Sequence, residues 1–294
     1  MDFGLILPSY RVGATTESID AASETAARLG WHSVFTTDHL LVEPSEQSRD
    51  YFNIYDAVVT LAHIAAKQPT LKVGASVVVV PMRNALVLAK ELATVDALSG
   101  GRLIVGVGVG WNQTEFGYVG EADRFSVRGA YLEEAVNLWR HLWSGNEAPF
   151  EGRFHSFGEV RFGPLPAQRE NVPIWFGGRD EKALRRCGRL GDGYHSSATT
   201  PDRYAPRVPL IREAARDAGR PEPVFSARFR VAFEPRTTGP FYTLTGDPDE
   251  MIADVRAFAG AGVTHVAVDF AETDAEQARD LIERFDREVV AAFR

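Results

Sequence analysis

The chain has 294 residues, 45% of them hydrophobic, a formal net charge of −8 and a single cysteine. That length and apolar share suit a large α/β core and exclude a chain too polar to collapse. The acidic balance argues against an extended nucleic-acid or anionic-membrane surface, and Cys187 alone forms neither an intrachain disulfide nor a cysteine zinc cluster.

No apolar run approaches the ~18 residues that a membrane helix needs. MDFGLILPSY reads as a strand rather than a secretion signal, so a cytoplasmic protein is expected. From there the chain alternates. Phe3–Leu7 is the first predicted strand, and Ile19, Ala22, Ala26 and Leu29 line one face of the helix after it. Ser33–Thr37 is the second strand, leading into the loop DHLLVEPSEQSRDYF and a helix carrying Val58, Leu61, Ala62 and Ala65. Val73–Val80 is the third, too apolar to have one wet face. A helix with Leu88, Leu92 and Val95 precedes the fourth, Leu103–Val107.

The spacing then stretches. Trp111–Arg128 reads as a long loop, followed by a helix with Leu132, Ala135, Val136, Trp139, Leu142 and Trp143 on one face. FEGRFHSFGEVRF reads as a hairpin excursion, and the insertion Trp111–Phe162 is expected to shape a pocket. Strands at Val172–Phe176, Gly193–Ser196, Val224–Phe233 and Thr264–Phe270 follow, each with its helix. Eight strand-helix units predict a (β/α)8 barrel in a single domain, 1–294, with an insertion after strand 4. A doubly wound open sheet has the same local pattern.

In a barrel the site gathers at the C-terminal ends of the strands. There the sequence places Asp38 and His39, adjacent polar groups after an apolar strand and the candidate acid–base pair. Gly106, Gly108 and Gly110 close the fourth strand; their spacing is not the dinucleotide fingerprint, and they are expected to make room for a flat ligand walled by Trp111. FGGRDEK places Gly177, Gly178 and Arg179 before a helix start, either a phosphate cradle or a tight turn with a solvated arginine. Metal ligands at useful spacing are missing, so no metal is expected.

The ordered set FGLILP, AARLGWHSVFTTDHL, VGASVVVVPMRNALVLAKELATVDALSGGRLIVGVGVGWNQTEF, RGAYLEEAVNLWRHLW and PIWFGGRDEKALRRCGRLGDGY resembles the luciferase-like monooxygenase superfamily, particularly its coenzyme F420-dependent oxidoreductase branch. The resemblance implies F420, with FMN as the alternative, lying across the barrel mouth. It implies a non-prolyl cis bond at Ser76–Val77 behind the ring, the cofactor phosphate over Gly177, Gly178 and Arg179, and His39 near the ring. Trp111 and Asn112 fall at the pocket wall. The implied chemistry is hydride transfer to or from a small organic substrate, or an FMN-dependent monooxygenation. A non-catalytic flavin-binding protein is a reading of another class. Two departures stand out: the branch's catalytic Glu position is occupied by Val109, and LLVEP replaces its Trp after the histidine. Glu43 and Glu115 do not match that position. Alanine-rich helices at Ala57–Ala66 and Ala85–Ala97 suggest a homodimer, as is common in the family.

Overall fold

The strands are short and apolar because both of their faces are covered, one by helices and one by the barrel's own interior. The computed structural model describes residues 1–45, 48–236, 242–271 and 274–294. Positions 46 and 47 of the predicted DHLLVEPSEQSRDYF loop lie outside the described residues. Eight strands run parallel: β1 (Asp2–Ile6), β2 (Ser33–Thr36), β3 (Lys72–Ala75), β4 (Leu103–Gly108), β5 (Ile174–Phe176), β6 (Gly193–Ser197), β7 (Val224–Ala232) and β8 (His265–Asp269). Each pairs with the next, and β8 pairs with β1, so the sheet closes. The expected (β/α)8 barrel is present, and the open sheet is not.

Among the described residues, eight helices of ten residues or more wrap it: α1 (Thr16–Arg28), α2 (Ala57–Lys67), α3 (Ala85–Ser99), α4 (Arg124–Trp143), α5 (Glu181–Leu190), α6 (Arg207–Asp217), α7 (Pro248–Gly260) and α8 (Ala275–Glu288). Thr15, Asp56, Asn84, Asp180, Asp247 and Asp274 accept from first-turn amides, which fixes where six of these helices begin. The apolar face read on α4 is buried throughout, and Trp139 and Trp143 donate their indole N–H to Ala85 O and Ala89 O of α3. Inside the barrel, Ile6, Phe35, Ile104, Trp175 and Ala267 form a separate small core.

Two expectations between β4 and β5 change. Trp111–Arg128 is not a loop: Asn112 caps a short helix, Gln113–Tyr118, and α4 begins at Arg124. The hairpin Phe150–Glu151/Ser156–Phe157 lies on the outside of α4, where Glu134 accepts the backbone N–H groups of Arg153, Phe154 and His155. The hairpin contributes no residue to the cavity lining; of the insertion Trp111–Phe162, Trp111 does so.

β3 breaks after Ala75. The Ser76–Val77 peptide is cis, as expected, and Val78–Val79 then resume pairing with Val107 and Gly108. Gly106 and Gly108 of β4 face this break. A Cβ at Gly106 would lie 1.8 Å from the Ala75 carbonyl oxygen, and one at Gly108 would lie 2.5 Å from Val77 Cγ2. The room that these glycines leave is filled by β3 itself. Gly106→Ala is therefore expected to destabilise the fold by about 3 kcal/mol, since backbone rather than a flexible side chain must move. Urea denaturation measures this, and a loss below about 0.5 kcal/mol would show that the two strands can separate freely.

Candidate active site

A cavity of about 890 Å³ opens at the C-terminal ends of the strands. His39, just past β2, lines it, with the Tyr51 ring 4.3 Å and the Trp111 ring 5.7 Å away, centroid to centroid. Its Nδ1 lies 2.8 Å from Glu115 Oε2, and Glu115 is 1% exposed. Glu115 Oε1 accepts the backbone N–H of Leu40 at 2.5 Å and of Leu41 at 3.2 Å. A carboxylate only accepts, so Nδ1 is the donor and Nε2 is the ring's basic nitrogen. Among the described residues Nε2 has no hydrogen-bond partner.

Glu115 is the residue that strand-end reasoning missed. It sits three positions after the Asn112 cap, and the pattern Asn-x-x-Glu is a helix-start signal legible in NQTE. The helix it starts carries the carboxylate back under His39. Asn112 itself is not at the pocket wall: its Oδ1 caps Thr114 and Glu115, and its Nδ2 donates to Glu43.

Asp38 also departs from the expected pairing. It borders the cavity, yet its oxygens accept from Val79 N at 2.9 Å and from Arg83 Nη2 at 2.7 Å. Arg83 holds Asp56 as well. Asp38 thus pins the segment after the Ser76–Val77 bond to the β2 end, and it is engaged away from His39.

The structure brings Ser76, Val77, Gly108, Gly110 and Trp111 to the same cavity. Gly177, Gly178 and Arg179 join them from the β5 end. Gly178 has φ 134°, and a Cβ there would meet Ala183 Cβ at 2.5 Å, so this turn requires glycine. Asp180 caps α5 through Ala183 N, and the exposed Arg179 makes no ion pair among the described residues.

On the far side of Tyr51 from His39, with the Tyr10 ring stacked on Tyr51 at 5.7 Å, lies a cluster largely unread in the sequence. Tyr10 OH donates to Asp269 Oδ2 at 2.6 Å, and Arg11 holds both Asp269 oxygens. Arg228 donates to Tyr10 OH at 3.0 Å and to Ser76 O at 2.5 Å. Burial works to raise the Asp269 pKa, but Arg11 and Arg228 outweigh it and hold the carboxyl below its usual range. Arg230 pairs with Asp50 at the rim.

Among the described residues no group of three or more His, Cys, Asp or Glu converges as a metal site, and no helix is long and apolar enough to cross a membrane. The sequence profile of the luciferase-like monooxygenase family matches residues 1–237. The chain belongs to that family. It is 34% identical over 165 residues to an F420-dependent glucose-6-phosphate dehydrogenase of Nocardia farcinica, a stretch covering 54% of this chain and 48% of that one. The match thus spans about half the length of that curated relative. The fold superposes on the coenzyme F420 dependent tetrahydromethanopterin reductase of Methanopyrus kandleri with TM-score 0.81 and 19% identity, covering 100% of this chain and 99% of that one. It superposes equally on the oxygenating constituent of 3,6-diketocamphane monooxygenase of Pseudomonas putida, in complex with FMN: TM-score 0.81, 15% identity, 99% and 98% covered.

His195 of β6 lines the cavity floor, and burial, with Arg228 nearby, lowers its pKa to about 3. Burial likewise holds His265 well below the ordinary histidine value. Both stay neutral in the folded protein where the unfolded chain takes up a proton near pH 6.5. The unfolded state then binds more protons, so stability falls as the pH drops from about 6.5 toward 3. The expected slope for each histidine grows as the pH falls through 6.5 and approaches about 1.4 kcal/mol per pH unit below about pH 5.5, and the total is less in His195→Gln. Urea midpoints across that range measure it; a flat profile would mean that the two imidazoles titrate normally.

Proposed function

We propose that the protein is an F420-dependent oxidoreductase, transferring hydride between the deazaflavin and a small organic substrate. The observation that carries this reading is the buried Glu115–His39 pair set on the wall of a cavity large enough for a flavin-sized ring. The relatives' F420-dependent activities support it.

The residues fit such a cofactor. Gly177, Gly178 and Arg179 offer close backbone approach and an unpaired guanidinium beside the α5 amides, which suits a phosphate. The Thr37 hydroxyl, on the cavity wall, is buried and has no hydrogen-bond partner among the described residues, which suits a polar ring edge. Ser76 and Val77 would back the ring. Bound there, F420 supplies the hydride-carrying ring carbon. The chain's own contribution is orientation and proton handling. Glu115 fixes the His39 tautomer and steadies the ring if it becomes charged. His39 Nε2 takes or returns the substrate proton, and Tyr51 and Trp111 hold the imidazole between them.

Fluorescence titration with F420 and with FMN tests the cofactor. F420 binding is expected, and in His39→Ala hydride transfer to a substrate found by screening should fall about 10²–10⁴-fold with F420 affinity retained. Glu115→Gln should lose part of this. Tight FMN binding without F420 binding would replace this reading with an FMN-dependent monooxygenase. F420 binding without turnover on any substrate would favour a non-catalytic flavin-binding protein.

We infer further that two copies associate through α2 and α3. Val59 is 70% exposed, Val87 55% and Leu98 77%, an apolar surface on two adjacent helices. Light scattering is expected to give twice the chain mass, and Val59→Glu/Val87→Glu the chain mass. A monomeric wild-type protein would overturn it.

A further inference from the structure

A file of alternating hydroxyls and imidazoles runs through the barrel interior. At the mouth, Ser76 Oγ lies 2.7 Å from His195 Nε2. His195 Nδ1 is 2.8 Å from Ser226 Oγ, which is 2.8 Å from His265 Nδ1. His265 Nε2 is 2.9 Å from Ser33 Oγ, which is 3.1 Å from His32 Nδ1. His32 Nε2 stands 3.7 Å from Asp2 Oδ2 at the far face. Ser76 and His195 line the main cavity, while Asp2 and His32 line a hollow of about 100 Å³ on the opposite side. Both ends of the file meet space for water.

The barrel's register builds it. His195, Ser226 and His265 are direct partners on three neighbouring strands. Gly4 keeps the lower half open, since a Cβ there would lie 2.7 Å from Ser33 Oγ and 3.0 Å from His265 Nε2. Phe35 stacks on His195 at 5.5 Å, and Trp175 stands edge-on to His265 at 5.1 Å, so apolar rings sheathe the file. Arg228 is the charged group at the upper end, beside Asp269; Lys72 and Asp2 act on the lower end.

The donor count leaves few arrangements. Each serine hydroxyl between two ring nitrogens donates to one and accepts from the other, and each neutral imidazole does the same. The file therefore has two coherent states, with every donor pointing up or every donor pointing down. We propose that it is a proton conduit between the cavity and solvent at the opposite face of the barrel.

In the upward state Ser76 O–H points into the cavity. As it gives its proton to an acceptor there, it takes the Nε2 proton of His195, whose Nδ1 takes the proton of Ser226. Ser226 takes the Nδ1 proton of His265, whose Nε2 takes the proton of Ser33, and Ser33 takes the Nδ1 proton of His32. His32 Nε2 takes one proton from water. One proton enters the cavity, one leaves solvent, and the file is now in the downward state. The reverse passage returns a proton to solvent and restores the first state. Burial keeps both inner imidazoles neutral, so no fixed cation blocks the passage. The conduit would serve the proposed hydride transfer when ligands fill the mouth, but its test uses the ligand-free protein and stands apart from the cofactor's identity.

The test is hydrogen exchange of ring N–H protons in protein labelled with ¹⁵N-histidine, beside backbone amides labelled in a second sample. In the wild type, the His265 ring N–H should have a protection factor at least about 100-fold below those of the Ala227 and Val266 amides, because it exchanges without opening the strands. Ser33→Ala cuts the lower limb and Ser226→Ala the upper, and each single variant should keep His265 weakly protected through the limb that remains. The double variant should raise its protection to that of the flanking amides. Ser33→Thr and Ser226→Thr keep the hydroxyls and should behave as wild type, while unchanged amide protection certifies each fold. Wild-type protection equal to that of the amides, or full protection after either single alanine substitution, would overturn the proposal.

Discussion

The close approach of β3 and β4 at Ala75 and Gly106 is the constraint on which the site depends. With no side chain at Gly106, the Ala75 carbonyl moves into β4's space, and the chain that follows leaves the regular pleat. That departure puts Ser76 under Arg228 and His195, and Val77 against Gly108. Asp38 then holds the far side of the break through Val79 N and Arg83. One short contact thus sets the floor of the cavity, the anchor of Arg228 and the top of the interior file.

The two walls of the cavity differ in chemistry. On one side, His39 is held by a carboxylate whose other oxygen is occupied by two backbone amides, an arrangement with a single orientation. On the other, Tyr10, Arg11, Arg228 and Asp269 form a buried cluster in which the two guanidinium groups stabilise the Asp269 carboxylate. A ring in the cavity would meet a proton-handling group and a fixed charged cluster along the same lining.

Much of this was legible in the residues. Apolar runs and helical faces located the eight units because burial dictates them directly, and the Ser76–Val77 bond followed from the resemblance. What strand-end reasoning could not give was partnership. Asp38 and His39 are neighbours in sequence, yet Asp38 belongs to Arg83 while His39 belongs to Glu115, 76 positions away. Nor do the glycines of β4 reveal in the sequence that Gly106 and Gly108 face the broken β3 strand, while Gly108 and Gly110 also border the cavity. His32, Ser33, His195, Ser226 and His265 carry no periodic signal at all, since only barrel closure brings them into line.

The hairpin after α4 hangs on Glu134, outside the barrel, while the loop after β2 supplies His39, Asp50 and Tyr51 to the cavity. The hairpin therefore contributes no lining residue to the cavity, whereas the loop after β2, tied down close to its start by Asp38, contributes several. Divergence among relatives has unequal effects at these two places. Length and sequence can drift at the hairpin with little consequence for what lines the cavity, whereas an exchange at Asp50 or Tyr51 would alter the wall itself and, at Tyr51, the surroundings of His39.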